Sequence, residues 1–395
     1  MDKLRQVTLL LISMNLLNGG KPMTKRAVAV LEVGSQKITC IMGQRGVNGT
    51  FLIKSIAESE YDGFEGAKFF NIASLSRAVE EVIKTTIKNA KTPIDKLYVS
   101  VPGEFSIVLT KEHTSAFARK KRIKKRDVES ILQAFEMSDN SEYEITDVSA
   151  IYYVLDDNRR VADPIGVVSL KLGAYLSFML ASKTYVRQMT NICKSAGAKK
   201  VEFISESLAE CKYLFTNEER QYRNILVDVG YLSTNVMVSF GGGILYQRAF
   251  SYGGGYITAA LMDRTELSFD LAEKLKRKIN LGYDVKFDGS YQFTVNDQDI
   301  MVPMQTSNMT VKYCLEELSG YINDVLSAWP IDLRVNIPIR LTGGGISFMR
   351  GAKECLANAL EMNVVTIAPN VPFMNKPDES ACLALLNEAL LREEK

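Results

Sequence analysis

Two short stretches of this chain place an acid and a glycine at the tip of an apolar hairpin. Ile225 to Ser239 reads I-L-V-D-V-G-Y-L-S-T-N-V-M-V-S, an apolar run ending in Asp228 and Gly230 before a second alternating run begins. Ala27 to Met42 follows the same plan, with Glu32, Gly34, Ser35 and Lys37 around its turn. Alternation on both sides of a glycine turn predicts a β-hairpin in each case, and the pair forms a weak internal repeat. A buried strand closed by an acid and a tight turn can present a carboxylate and backbone N–H groups to one small anion. Taken alone, the stretch at Asp228 reads most simply as an ordinary core hairpin. Further glycine turns follow strands and lead into helices, at Gly253-Gly254-Gly255 and Gly343-Gly344-Gly345. Such strand–turn–helix junctions hold phosphate because their unpaired N–H groups point at the anion. Between them, a helix predicted over Asp270 to Ile279 sets Glu273 and Lys276 one turn apart on one face.

Composition narrows the chemistry. The chain has 395 residues, more than one ordinary core accommodates, with 46% hydrophobic and 24% charged residues; both fractions suit a folded soluble protein. A net charge of +2 gives no global attraction to nucleic acid or membrane, so contact with either needs a local patch. Six scattered cysteines without C-x-x-C spacing argue against a zinc site or disulfide framework and fit a reducing cytoplasm. His113 is the single histidine, which nearly excludes a histidine metal site or a histidine triad.

The elements that would position these residues can be read in order. Residues 1–22 look foreign to the rest of the chain: Val7 to Leu17 is apolar but shorter than the about 20 residues of a membrane span. Leu4, Val7, Leu11 and Met14 share a helical face suited to a membrane interface. Asn18 to Met23 can instead be encoded by a ribosome-binding sequence, so translation is expected to start at Met23. Ala73 to Ala90 has helical periodicity, and Leu97 to Val101 reads as a buried strand closed by Pro102-Gly103. Next come strand-like runs and one helix, Asp127 to Glu136, preceded by Arg119, Lys120, Lys121, Arg122, Ile123, Lys124, Lys125 and Arg126. That charge run reads first as a solvated face. Its functional reading is a dock for an acidic peptide or anionic lipid, each basic residue adding roughly 1 kcal/mol. Later helices are predicted at Thr184 to Ala196, Ser207 to Phe215, Val311 to Trp329, Phe348 to Leu360 and Glu379 to Arg392, with a small antiparallel sheet over Val285 to Pro303.

Two acid-tipped hairpins, an E-x-x-K helix and T-G-G-G after a strand stand in the order of the actin-like ATPase superfamily. Within it the chain resembles the FtsA family of bacterial cell-division proteins, from Arg26 to Leu391. L31-E-V-G-S-Q-K resembles its first phosphate motif, V227-D-V-G its second, and Asp163-Pro164-Ile165-Gly166 a signature of its inserted subdomain. S205-E-S-L-A stands where the family has E-P-L-A; Y252-G-G-G-Y-I-T is similar to V-G-G-D-x-I-T; A272-E-K-L-K and L341-T-G-G-G resemble the ribose and adenine motifs.

The resemblance implies an α/β fold of two ribonuclease-H-like lobes. Residues 23–102 and 182–222 would form the first lobe, with 103–181 inserted. Residues 223–265 and 337–366 would form the second, with 266–336 its subdomain; 367–395 would return to the first lobe, and 1–22 would be an extension. It also implies ATP or ADP with magnesium. Glu206 would orient the attacking water, and Glu32 and Asp228 would support the metal through water. Gly34, Ser35, Lys37, Gly230, Gly253 and Gly254 would lie at the phosphates, Glu273 and Lys276 at the ribose, and Gly343, Gly344 and Gly345 at the adenine. The implied partners are other copies through the inserted subdomain, the tail of a tubulin-like filament protein, and the inner face of the membrane at the division site, without nucleic acid.

Departures from the family pattern qualify the activity. Glu32 stands where the family has Asp, one methylene shorter. Tyr231-Leu232-Ser233-Thr234-Asn235 replaces G-G-T-T-D after Gly230, so side chains with Cβ atoms would crowd the γ-phosphate and one charge is lost. Phosphoryl transfer depends on positioning, so slow or absent hydrolysis is expected. The family's C-terminal amphipathic helix has no counterpart before Lys395, and membrane attachment is expected from residues 4–17, the basic run or a partner. The alternatives are a PilM-type pilus-assembly protein, expected to lack D-P-I-G, and a small-molecule kinase or active ATPase.

Overall fold

The computed structural model describes residues 27–46, 50–134, 141–282, 289–295, 297–329 and 337–394. The expectations for residues 1–22 and the start at Met23 lie outside them.

The first lobe is built on β1 (Val28–Val33), β2 (Lys37–Arg45) and β3 (Phe51–Glu60), an antiparallel meander. A small hairpin, β4 (Phe64–Glu65) and β5 (Lys68–Phe69), leads to α1 (Ile72–Ala90) and then β6 (Lys96–Val101). Helix α1 forms because Leu75, Val79, Val82 and Ile83 recur on one buried face, and Asn71 caps its start by accepting the Ser74 N–H.

The chain then enters an inserted layer: β7 (Ser106–Arg122), α2 (Lys125–Leu132), β8 (Tyr143–Val154), β9 (Arg160–Val161) and β10 (Val168–Ser182). These strands pair in the order β7-β10-β8-β9. The basic run, read as a charged stretch ahead of a helix, is in fact the end of strand β7 through Arg122, because Lys121 and Arg122 pair with Ser169 and Val168 of β10. Helix α2 accordingly starts at Lys125 and ends at Leu132. Asp127 accepts the Lys124 N–H at 2.9 Å and the Lys121 ammonium at 2.7 Å, and these contacts hold its carboxyl below the usual range. The Asp163-Pro164-Ile165-Gly166 turn anchors the same strand end: Gly166 N donates to Ile123 O at 2.9 Å, and Arg122 donates to Gly166 O at 2.8 Å.

After α3 (Lys183–Ser195), β11 (Lys200–Ser205) completes the first sheet in the order β11-β6-β1-β2-β3, and α4 (Glu206–Leu214) follows. The second lobe repeats the plan with β12 (Asn224–Val229), β13 (Thr234–Phe240) and β14 (Gly243–Phe250), then α5 (Gly254–Thr265) and α6 (Phe269–Lys278). Its outer part comprises the hairpin β15 (Ser290–Val295) and β16 (Gln298–Pro303), and α7 (Met304–Ser327). Strand β17 (Ile339–Thr342), α8 (Ala352–Leu360) and β18 (Val364–Thr366) close the second sheet in the order β14-β13-β12-β17-β18. The helix expected from Phe348 begins only at Ala352, since Gly351 takes a positive φ of 85° and restarts the backbone there. The last helix, α9 (Ser380–Glu393), packs Leu383, Leu386 and Leu390 onto Val28, Val30 and Ile41 of the first lobe. Among the described residues no helix is long and apolar enough to cross a membrane.

Candidate functional site

The two hairpin tips face each other across a cleft of about 1000 Å³. Strand β1 delivers Glu32 and β12 delivers Asp228 because each is a buried, apolar strand whose C-terminal end opens onto the gap between lobes. Glu206 enters from the first turn of α4, where Ser205 accepts the Leu208 N–H as N-cap. The cleft gathers Glu32, Gly34, Ser35, Lys37, Glu206, Asp228, Gly230, Glu273, Lys276 and Gly343 to Gly345. Gly253 and Gly254 are not on its wall. They sit behind it, where a Cβ on Gly253 would lie 2.5 Å from Gly230 O and one on Gly254 2.6 Å from Gly345 O. These glycines let three loops cross in contact. The basic run lies on the inserted layer and is not part of the cleft.

The second turn is bonded to the protein on every side. Gly230 N donates to Ser233 O at 2.9 Å, and Gly254 N and Gly255 N donate to Gly230 O and Tyr231 O at 2.9 and 2.6 Å. Leu232 N donates to the Ser35 hydroxyl of the opposite hairpin at 3.0 Å, and the Ser233 hydroxyl donates to the Glu104 carboxylate. Asn235 donates from Nδ2 to the Ser207 hydroxyl at 2.8 Å. Crowding therefore takes a different form from the one expected. The Leu232 side chain packs onto the first-lobe core, and the Tyr231 ring turns toward α5, close to Gly255.

Tyr231 meets the Glu273–Lys276 pair there. The Lys276 ammonium lies 5.2 Å from the Tyr231 ring centre and donates to Gly254 O, Thr258 Oγ1 and Glu273 Oε1 at 2.9, 2.8 and 2.7 Å. Burial lowers the Lys276 pKa, opposed by Glu273. The pair expected at a ribose is thus closed on itself.

Five acids converge at the opposite end. Burial, partly offset by Lys37, pushes Glu32 up to about 7. Burial together with Glu104 raises Asp228 to about 7. Glu104 is raised by burial against its bond to Ser233. Glu206 is raised well above the carboxylate range by burial and by Glu32, Asp228 and Glu104; Glu210 is raised by burial and by Asp228, Glu206 and Glu32. Sequence reasoning missed Glu104 and Glu210. Glu104 follows the Pro102-Gly103 stop of β6, and Glu210 stands one helical turn after Glu206 among Leu208, Ala209 and Cys211.

Comparisons with known proteins agree with this architecture. Residues 225–384 match the family model described as cell division protein FtsA, and residues 106–179 match that of the SHS2 domain inserted in FtsA. Cell division protein FtsA of Staphylococcus epidermidis is 21% identical over 380 residues, covering 92% of this chain and 79% of that protein. FtsA of Bacillus subtilis is 21% identical over 368 residues, covering 91% and 82%. Among solved structures, the PilM-PilN type IV pilus biogenesis complex aligns with a TM-score of 0.61 at 16% identity, covering 93% of this chain and 99% of that one. MreB5 of Spiroplasma citri bound to ADP aligns at 0.57 and 10% identity, covering 94% and 98%. The repeated sheets, the inserted layer and these matches together make the chain an FtsA-like protein of the actin-like ATPase superfamily.

Proposed function

We propose that this protein is a cell-division scaffold that keeps the actin-like cleft but binds ATP weakly and turns it over slowly or not at all. The observation that carries this reading is the closed second turn: the Leu232 amide and the Ser233 hydroxyl are engaged by Ser35 and Glu104. A phosphate would have to displace both bonds and approach five clustered acids, Glu210 buried and the others partly buried. Magnesium bound through water by Glu32 and Asp228 would offset part of that charge when nucleotide enters. In a scaffold, the nucleotide acts as a ligand that stabilises the closed lobes by mass action.

Self-association is assigned to the inserted layer, whose β7 is a 17-residue edge strand. The partners proposed by family likeness are the tail of a tubulin-like filament protein and the membrane. On the basic run, Lys121 is held by Asp127, Lys120 lies 3.6 Å from Asp156 and Lys125 3.8 Å from Glu129. Arg119, Lys124 and Arg126 are exposed and supply the charge for anionic lipid. The D-P-I-G turn favours division over a PilM-type role in pilus assembly.

Replacing Tyr231-Leu232 by Gly-Gly together with Ser233→Ala, which removes the bond to Glu104, tests the reading. ATP affinity or phosphate release should rise at least about tenfold, which is about 1.4 kcal/mol. No change in either would mean that this turn does not limit nucleotide binding.

A further inference from the structure

We propose that the inserted layer is an arm of the first lobe that clasps the second, so that the angle between the lobes and the position of the layer change together. The turn between β13 and β14, Gly241-Gly242-Gly243, is pressed against the layer. A Cβ on Gly241 would lie 1.8 Å from Ile151 O, one on Gly242 2.5 Å from Ala150 O, and one on Gly243 2.8 Å from Ser177 Cβ. Only glycine lets two backbones approach so closely. Hydrogen bonds then fix the contact. Ser149 donates to Gly242 O at 2.6 Å, and Gly242 N donates to Ile151 O at 3.3 Å. The fully buried Ser177 donates to Ile244 O at 2.6 Å and accepts the Ile244 N–H at 3.1 Å. Gln247 of β14 donates to the hydroxyl of Ser106, the first residue of β7, at 2.8 Å. Met179 and Val108 of the layer share one apolar cluster with Leu208 and Leu214 of α4 and with Met237 and Ile244 of the second lobe.

The layer is itself fixed to the first lobe. Strand β10 runs directly into α3, and Asp147 of β8 accepts the Ser205 N–H at 2.8 Å while it pairs with Arg392 of α9. An arm anchored on one lobe and keyed to the other leaves rotation two routes: it tilts the layer, or it opens the glycine contact. The hairpin tips supply another bond between the lobes, from Leu232 N to Ser35. Both contacts favour the same lobe angle, so each supports the other, and such coupling is reciprocal. A partner that grips β7 would act on the lobe angle through Ser106 and Gln247. Only this last consequence rests on the self-association reading.

Hydrogen exchange of the full-length protein without nucleotide, resolved to single amides by fragmentation mass spectrometry, tests the clasp. Gly242 does not take a positive φ, so the methyl added in Gly242→Ala meets only β8. The amides at positions 242 and 244 should be protected in the wild type. In the variant both should exchange at least about tenfold faster. The Leu232 amide, which touches neither, should follow by at least about threefold, while amides of β1 keep their wild-type rates. An unchanged Leu232 amide, or unprotected amides at 242 and 244 in the wild type, would overturn the proposal. Should Gly242→Ala fail to fold or also loosen β1, Ser149→Ala is measured in the same way and decides. Neither assembly nor nucleotide enters the measurement, so its outcome is separate from that of the scaffold reading.

Discussion

The two hairpins share one plan and differ in how their turns are used. Strands β1 and β2 pair antiparallel, with β1 parallel to β6; strands β12 and β13 pair antiparallel, with β12 parallel to β17. Around the first turn, Gly34 N donates to Lys37 O at 3.1 Å and Tyr61 donates to Gly34 O at 2.7 Å, both within the first lobe. The second turn instead reaches across to Ser35 and Glu104 of the first lobe and back to glycine loops of its own. Duplication of a fold therefore preserves strand order while leaving each turn free to become a contact. In this chain the second turn serves as a fastener.

The largest effect that separates the surroundings of the two acids concerns glycine. In Gly343→Ala the new Cβ would lie 2.0 Å from Asp228 Oδ1 at a φ of +87°, so a loss of about 3 kcal/mol is expected by denaturant unfolding. Gly34→Ala meets only Lys37 O at 2.9 Å and should lose about 1 kcal/mol. Equal losses would show that the glycine loop after β17, which packs on Asp228, is no more tightly built than the first turn.

A smaller effect is expected from the acids. Their folded-state pKa values are raised, so they place no penalty on folding below the ordinary carboxylate range. The penalty grows as pH rises above that range, and for Glu32 and Asp228 it is nearly complete once pH has passed about 7. In chelator, Glu210→Gln should raise stability by about 1–3 kcal/mol at about pH 8 and leave it unchanged near pH 4. A stabilisation that is independent of pH would mean that charge at Glu210 is not the cause. The smallest effect is expected from Ser35→Ala, which removes the acceptor of the Leu232 N–H and should lose about 1 kcal/mol. No loss would mean that the bond between the hairpins contributes nothing to stability.

Much of this arrangement is legible in the sequence because it is local. Apolar runs ending at Glu32 and Asp228 give the hairpins, and three-residue spacing places Glu273 beside Lys276. What the sequence hides depends on distant partners. The basic run becomes a strand only by pairing with β10, which lies beyond α2, β8 and β9 in the chain, against what its charge suggests. Tyr231 is readable as an obstruction, but its turn toward Lys276 follows from the packing of α5 and α6. Glu104 and Glu210 carry no motif of their own, and only the fold brings them to Asp228.

The central claim is that the cleft persists while its phosphate end is fastened shut. Nucleotide content of the purified protein, measured together with ATP affinity with and without magnesium, tests this most directly. The account predicts little bound nucleotide and an affinity weaker than about 10 μM. Stoichiometric nucleotide that survives purification, or submicromolar ATP binding, would contradict it.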